Sequence, residues 1–368
     1  MKIAISADCF ASFTSGFPVR GMMLCLIKKR SYDTFLLYYT KRPKLPMLQS
    51  FYDEINELPN VEVRYFKYGR KTVALRRLLK LPLVNRCDFD LFINPGNPEV
   101  WPNIKVPTIG SIADFSTLKG LSTGRYAWFF KYYSKWTLKY TFSKLDVIVP
   151  ISHFTENDLL SFWPQFKPKL NVVHNGIDDM WFDEHVEPCP INPFSGQKYF
   201  IWWGLISRRK NIDNLIKAYN LAKHENPGLP NLLLVGKVEG YMEHIKDTLS
   251  DNIQNIPFQD NYVLKGLVRH SEGLIFPSFY EGFGLPVVEA FSQGVPVACS
   301  NVTSLPEVAN GHALLFDPDN IEDMKDKMLQ LAVSEYDSAS LKRFAHTFSY
   351  KKAAEKYSQI IEALKSKV

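Results

Sequence analysis

Two glutamates eight residues apart, Glu281 and Glu289, lie in the stretch Phe276 to Ala290, which reads FPSFYEGFGLPVVEA. A short apolar run, Gly273 to Phe276, opens it; Pro286 stands where a helix can begin and Gly294 where it can end. Proline suits the start of a helix and glycine the position past its end, so the order is strand, loop, helix. Backbone N–H groups at that helix start, around Val287 and Val288, offer an anion site for a phosphate. Gly282 and Gly284 let the chain approach a ligand without a Cβ in the way. Phe283, Leu285 and Pro286 complete the same turn and count with it as donor-binding residues. Glu281 falls in the loop, beside whatever the phosphate carries. Glu289 falls within the first turn or so of the helix, where a carboxylate can accept hydrogen bonds from both hydroxyls of a diol such as ribose. Sugar, diphosphate and ribose, in that order, make up a nucleotide sugar.

A second segment complements the first. Trp203 to Asn211, WGLISRRKN, follows a strand pattern and precedes a helix that Asn211 can cap. Its cations then sit at the carboxyl end of a strand, where open α/β sheets bind ligands. A leaving nucleoside diphosphate gains negative charge as the glycosidic bond breaks, and fixed cations such as Arg209 and Lys210 stabilise it.

These motifs resemble the E-x7-E signature of the retaining glycosyltransferases of family GT4, which have the GT-B fold. The resemblance extends through Ser152, the run Val172 to Asp178 (VVHNGID), Gly204 to Asn211, Leu234 to Gly236, and Ser304 to Val308 (SLPEV), and it weakens toward the N-terminus. It implies two Rossmann-like domains with parallel sheets facing across a cleft. Residues 1–187 would bind the acceptor, residues 188–347 the nucleotide sugar, and the helix in 348–368 would return to the first domain. It implies that an Arg/Lys pair serves the diphosphate, which matches Arg209 and Lys210. Relatives carry an arginine directly after the glycine, where Leu205 stands here, so the arginine role is open between Arg208 and Arg209. Asp114 matches a family His-Asp position whose histidine is replaced by Ala113; Asp114 is a candidate on the acceptor side or a helix cap. Gly16, in SFTSGFPVRG, matches a glycine-bearing loop near the diphosphate or acceptor. Family analogy favours front-face attack, with the leaving phosphate oxygen taking the acceptor's proton. The pattern is most familiar in bacterial surface-polysaccharide mannosyltransferases, which makes GDP-mannose the first donor to consider. A GT-B nucleotide-sugar epimerase and a non-catalytic sugar-nucleotide-binding subunit are the rival readings.

Composition sets the frame for that chemistry. A chain of 368 residues suggests two domains. Its five cysteines (9, 25, 87, 189, 299) show no CxxC spacing, which argues against a zinc site or a disulfide framework and fits a reducing cytoplasm. Asp8 interrupts the apolar start, so strand one is expected there rather than a signal peptide. No uncharged apolar stretch of about 18 residues exists to span a membrane. No cofactor and no metal are expected, because Arg209, Lys210 and the helix start at Pro286 can serve the diphosphate where a divalent ion otherwise would. Charge is uneven: residues 1–180 hold 25 Lys and Arg against 15 Asp and Glu, a balance of +10, and the remainder holds 19 against 23. That asymmetry suggests an anionic partner for the first half. No nucleic-acid motif accompanies it; a lipid-linked oligosaccharide acceptor or the inner face of the plasma membrane fits better. Two segments could meet such a surface. Arg70 to Lys80 (RKTVALRRLLK) is basic and amphipathic. Tyr126 to Phe142 interleaves aromatics with lysines, and its helical spacing favours core packing, with some aromatics left exposed for contact.

Alternation of short apolar runs with helical patterns marks α/β architecture. Strands are expected at Lys2–Ser6, Thr34–Tyr39, Val61–Tyr65, Leu91–Asn94, Pro107–Ile112, Val147–Ile151, Tyr199–Trp203, Asn231–Val235, Ile256–Phe258, Gly273–Phe276 and Val295–Cys299. Helices are expected at Asn211–His224, Asp260–Leu267, Pro286–Gln293, Ser304–Ala309, Ile321–Ser334 and Tyr350–Lys367. Ser304-x-x-Glu307 reads as a capping box, and the Pro-rich stretch 186–196 as a linker.

Overall fold

The computed structural model describes all residues except 12–15, 41–48, 68–71, 74, 77–78, 80, 82, 84–87, 97–100, 102–103, 122–126, 186–191, 239 and 367–368. Arg77, Lys80 and half of the expected linker therefore lie outside the described residues. The chain divides into two compact units. One comprises Met1–Gly176 with Tyr350–Val368, the other Ile177–Ser349. The sequence placed the boundary at 187/188; the units divide eleven residues earlier, because Ile177 pairs with the far end of its own unit through its N–H to the Phe348 carbonyl, 2.8 Å.

In the first unit, strands β1 (Lys2–Ser6), β2 (Thr34–Tyr39), β3 (Val61–Tyr65), β4 (Leu91–Asn94), β5 (Thr108–Ile112) and β6 (Val147–Pro150) form a sheet in the order β3-β2-β1-β4-β5-β6. Each described pairing is parallel. Side chains alternate across the sheet: Ile3 and Ile5 face one core, and Ala4 faces another with Leu36, Tyr38, Phe92 and Trp101. Both faces are covered, which is why β1, β2, β4 and β6 read as largely apolar runs, whereas the edge strand β3, VEVRY, alternates. Helices α1 (Gly16–Lys29), α2 (Gln49–Glu57), α3 (Ala127–Lys144) and α4 (His153–Phe162) belong to this unit.

In the second unit, β7 (Tyr199–Trp203), β8 (Asn231–Val235), β9 (Ile253–Ile256), β10 (Gly273–Phe276), β11 (Val297–Ser300) and β12 (Leu314–Phe316) lie in the order β12-β11-β10-β7-β8-β9. Counted from its own first strand, this is the order of the first unit. Each unit is thus a Rossmann-like, doubly wound sheet, the expected fold class. The helices are α5 (Ile212–Glu225), α6 (Asn261–Arg269), α7 (Leu285–Ser292), α8 (Leu305–Ala309), α9 (Ile321–Val333) and α10 (Ser338–Ala345). Strand β9 ends where it was expected to begin, because Pro257 has no N–H to give to a ladder. The three-residue β12 and the helix α10 went unread in the sequence.

The last helix, α11 (Tyr350–Lys365), packs into the first unit against α1. Gly21 makes room: a Cβ there would come within 1.9 Å of the Tyr350 ring. Tyr357, Ile361 and Leu364 join Met23, Leu26 and Ile27 in one core. The buried Arg30 guanidinium fastens the far end, donating to Asp33 (2.6 Å) and Ser358 (2.9 Å) and pairing with Glu362 at 2.7 Å. Breaking a buried ion pair from one side strands the other charge and costs about 3–5 kcal/mol. Arg30→Ala should therefore lower the unfolding free energy in urea by about 3 kcal/mol. Lys29→Ala, whose contact with Glu355 is exposed and 3.7 Å long, should change it by less than about 0.5 kcal/mol.

Candidate active site

In each doubly wound sheet the strand order reverses beside the first strand, and ligands bind beyond the strand ends at that point. In the second unit the reversal falls between β7 and β10. The loop after β7 carries Arg208, Arg209 and Lys210; the loop after β10 carries Glu281. The fold thus brings together residues 71 or 72 positions apart in the chain.

The two loops are tied by backbone and side chain alike. Phe279 donates its N–H to the Arg209 carbonyl at 3.0 Å, and the Arg209 guanidinium donates to the Tyr280 carbonyl. Lys210 Nζ reaches Glu281 Oε1 at 2.6 Å and Arg209 reaches the same oxygen at 3.0 Å. The Lys210 ammonium also lies 4.9 Å from the centre of the Phe276 ring, a cation–π contact. Arg208 is exposed, whereas Arg209 is half-buried and Lys210 buried. Arg209, rather than Arg208, is therefore the arginine aimed into the cluster.

Glu281 is fixed from several sides. Its N–H donates to Thr303 Oγ1 at 3.3 Å, and its carbonyl accepts from Ser304 Oγ at 3.0 Å. The same hydroxyl donates to the Phe283 carbonyl at 2.8 Å. The capping box expected at Ser304 does not form: Ser304 starts α8 without a side-chain cap bond, because its hydroxyl braces the glutamate loop instead. Asn211 likewise occupies the cap position of α5 without capping it; its amide donates to the Pro318 carbonyl at 2.8 Å.

Gly284 begins α7 with φ +103, and a Cβ there would lie 2.6 Å from Leu305 Cδ2. Glycine is thus required both for the turn and for the close packing of α8. Pro286 is in the first turn of α7, as the sequence indicated, and Gly294 lies beyond its end at φ +72. Gly282 and Phe283 are buried, and Leu285 and Pro286 half-buried. The expectation for Val287 needs correcting. Its N–H already donates to the Gly284 carbonyl at 3.0 Å, and its side chain is wholly buried, so it offers a phosphate nothing in this arrangement.

Glu289 lies in the second turn of α7, facing the end of β7. Trp203 Nε1 donates to its Oε2 at 3.0 Å. Trp203 in turn stacks on Trp181 with ring centres 6.5 Å apart, and Gln293 holds the Trp181 carbonyl at 2.5 Å. The two glutamates have opposite electrostatics. Burial alone would raise Glu281, but the Lys210 and Arg209 charges and hydrogen bonding from Lys210 overcome it and hold the carboxyl below its usual range. Glu289 is pushed up to about 7, by burial first and by the Asp178 charge second, against the opposing Trp203 hydrogen bond and Lys210 charge.

Asp114 and Gly16 belong to the first unit and are not part of this cluster. Asp114 follows β5, and its Oδ1 accepts from the Ser116 N–H (2.8 Å) and hydroxyl (2.6 Å), a local turn. Gly16 is the first residue of α1, and residues 12–15 before it lie outside the described residues. Sequence reasoning missed Trp203, Asp178, Thr303 and the bracing role of Ser304. Trp203 alone had a signal, its place at a strand end directly before the glycine loop.

Residues 188–347 match the family model described as glycosyl transferases group 1. The chain is 37% identical over 208 residues to the O-antigen chain mannosyltransferase B of Escherichia coli, a match covering 54% of each protein. It is 29% identical over 222 residues to the serotype-specific mannosyltransferase WbdA of Escherichia coli, covering 57% of this chain and 27% of that one. The chain thus spans about half the length of the first of these relatives and about a quarter of the second. Sucrose-phosphate synthase from Thermosynechococcus elongatus has the same fold, with a TM-score of 0.73, 16% identity and full coverage of both chains.

The Glu289 environment yields a direct test. Carbon-detected NMR of the glutamate carboxyls should show Glu289 titrating near pH 7, and Trp203→Phe should raise that midpoint by removing a donor to the ionised form. A midpoint in the ordinary carboxylate range would show that Glu289 is well solvated.

Proposed function

We propose that this chain, with a glycosyl transferases group 1 domain at residues 188–347, is a retaining glycosyltransferase of surface-polysaccharide assembly that moves a hexose from a nucleoside-diphosphate sugar to a glycan. The observation that carries the reading is the convergence of Arg209, Lys210 and Glu281 at the β7/β10 reversal, with Glu289 on the helix that follows. The relatives described as mannosyltransferases favour mannose as the sugar and GDP-mannose as the donor.

In this reading Arg209 and Lys210 hold the diphosphate. Glu281 orients the sugar while keeping the two cations in place. Glu289 takes the ribose hydroxyls. The bond from the anomeric carbon to the phosphate oxygen breaks as the acceptor oxygen bonds to the same face. The acceptor's proton passes to the leaving phosphate oxygen. Charge grows on the diphosphate only as that bond breaks, so the cations act most strongly in the transition state. No divalent metal takes part. The first unit, with its excess of positive charge, takes the acceptor, which is carried on a lipid at the inner face of the plasma membrane. Among the described residues no helix is long and apolar enough to cross a membrane, so contact with that face is peripheral.

Two measurements test the donor site. The ribose hydroxyls need an ionised acceptor, and Glu289 in the free protein holds its proton up to about pH 7. Affinity for the nucleoside diphosphate should therefore rise with pH until about 7 and then level. Glu289→Gln should bind more weakly and lose the part of the pH dependence that the nucleotide's own ionisation does not supply. An unchanged affinity and pH profile in Glu289→Gln would remove this residue from the donor site. In the second measurement Lys210→Ala and Arg209→Ala should lower kcat more than they raise KM. Loss of such a donor costs about 2.7–4 kcal/mol of transition-state stabilisation. Wild-type turnover should persist in excess EDTA. A pure KM effect would confine the two cations to ground-state binding, and a complete loss in EDTA restored by Mg²⁺ or Mn²⁺ would overturn the metal-free mechanism.

A further inference from the structure

Helix α3 has apolar side chains on both sides. Its inner face is settled by packing: Leu138 and Phe142 join the core of β5, β6 and α4, with Phe142 at 5.6 Å from Trp163 and 5.9 Å from Phe166. At about 100° per residue the opposite face is centred on Trp136. A solvated helix would be polar there. Instead Tyr132, Tyr133 and Trp136 are exposed, at 67%, 45% and 60%. Among the described residues the aromatics of this helix are divided between core and surface, Phe142 inside and Tyr132, Tyr133 and Trp136 outside. Trp136 stacks on Tyr140 at 6.3 Å and 13°, so the outer rings form one patch.

The charge around this patch has one sign. Lys131, Lys135, Lys139 and Lys144 are exposed on the same helix, and residues 127–144 contain no aspartate or glutamate. Lys135 lies 5.9 Å from the Phe162 ring and Lys144 5.8 Å from the Tyr140 ring. Asp146, the next acid along the chain, accepts from the Thr108 N–H and hydroxyl. Tyrosine and tryptophan favour the zone between headgroups and acyl chains, where one end of the ring is wet and the other apolar. Lysines keep their ammonium groups at the level of the lipid phosphates while their stems cover apolar surface.

We infer that the outer face of α3 docks on an anionic lipid bilayer surface, with Tyr132, Tyr133, Trp136 and Tyr140 at the headgroup boundary and Lys139 and Lys144, on the two flanks of that face, against lipid phosphates. A second copy of the chain fits less well, since a two-fold contact through this face would bring two all-basic helices together. The inference deepens the reading of a lipid-borne acceptor by naming the surface that would bring the protein to it. The binding itself does not depend on the transfer reaction. The other basic run, Arg70–Lys80, lies partly outside the described residues and carries no part of the argument.

Sedimentation with vesicles of equal parts phosphatidylglycerol and phosphatidylethanolamine, against vesicles of phosphatidylcholine alone, tests this. The full chain should bind the anionic vesicles at low salt, release as salt rises, and leave the neutral ones unbound. The double substitution Lys139→Glu and Lys144→Glu should weaken anionic binding by about tenfold or more. Trp136→Phe should abolish most of the vesicle-induced blue shift of tryptophan emission. All three residues are exposed, so circular dichroism and transfer to a soluble acceptor should stay as in wild type. Full binding by the double variant, equal binding to both kinds of vesicle, or no binding at low salt would overturn the inference and leave the transferase reading standing. So would a dimer in solution that Trp136→Ala dissociates, because the face would then belong to a second copy. Failed transfer with intact vesicle binding would sink only the transferase reading.

Discussion

Burying a carboxylate costs several kcal/mol unless cations and hydrogen bonds meet it, and Glu281 is buried where both are supplied. The reversal of strand order separates the loops after β7 and β10 just enough for each to contribute half of an ion cluster. Remove the glutamate and Arg209 and Lys210 repel each other; remove the cations and the loop loses its anchor. The backbone bonds between Phe279 and Arg209, and those of Thr303 and Ser304 around Glu281, are arranged about that pairing. A site built this way is preorganised: its dipoles and charges are in place before a ligand arrives, so little reorganisation need follow.

The second glutamate depends on the first by contrast. Two acids eight residues apart in one loop–helix unit would be equivalent in water. Here one is surrounded by positive charge and stays ionised, while the other shares a half-buried niche with two tryptophans and the negative field of Asp178. Environments that push two like groups apart in acidity allow them different tasks. One keeps a permanent charge beside the cations. The other, pushed up to about 7, stands between its two protonation states near neutral pH.

Much of this was legible in the sequence. Apolar runs gave most strands to within two residues, because a strand covered on both faces has no polar positions to obscure it. Pro286 and Gly294 bracketed α7 for reasons of backbone geometry alone. The spacing of Glu281 and Glu289, together with RRKN, marked the chemistry. What could not be read depends on which atoms a side chain chooses among competing partners. Ser304 and Asn211 are good caps by propensity, yet each bonds a loop that folding brings near from elsewhere in the chain. Local preference is a small term that one well-placed tertiary hydrogen bond outweighs. Val287 was assigned a free N–H that the tight turn at Gly284 consumes. Which aromatics of α3 stay outside could not be read for another reason: a helix with rings on both sides has no single apolar stripe for periodicity to detect.

Helix α11 belongs to the first unit, although the whole second unit stands between them in the chain. During synthesis, residues 177–349 must be translated before Tyr350 appears. At about 5–20 residues per second that interval lasts on the order of 10–35 s. Until it ends, Met23, Leu26 and Ile27 of α1 lack the rings and aliphatic side chains that cover them in the finished core, and Arg30 lacks Ser358 and Glu362. The nascent first unit therefore leaves the ribosome with a sticky, open flank, and its completion is an act of the last helix, closing over a partner translated long before.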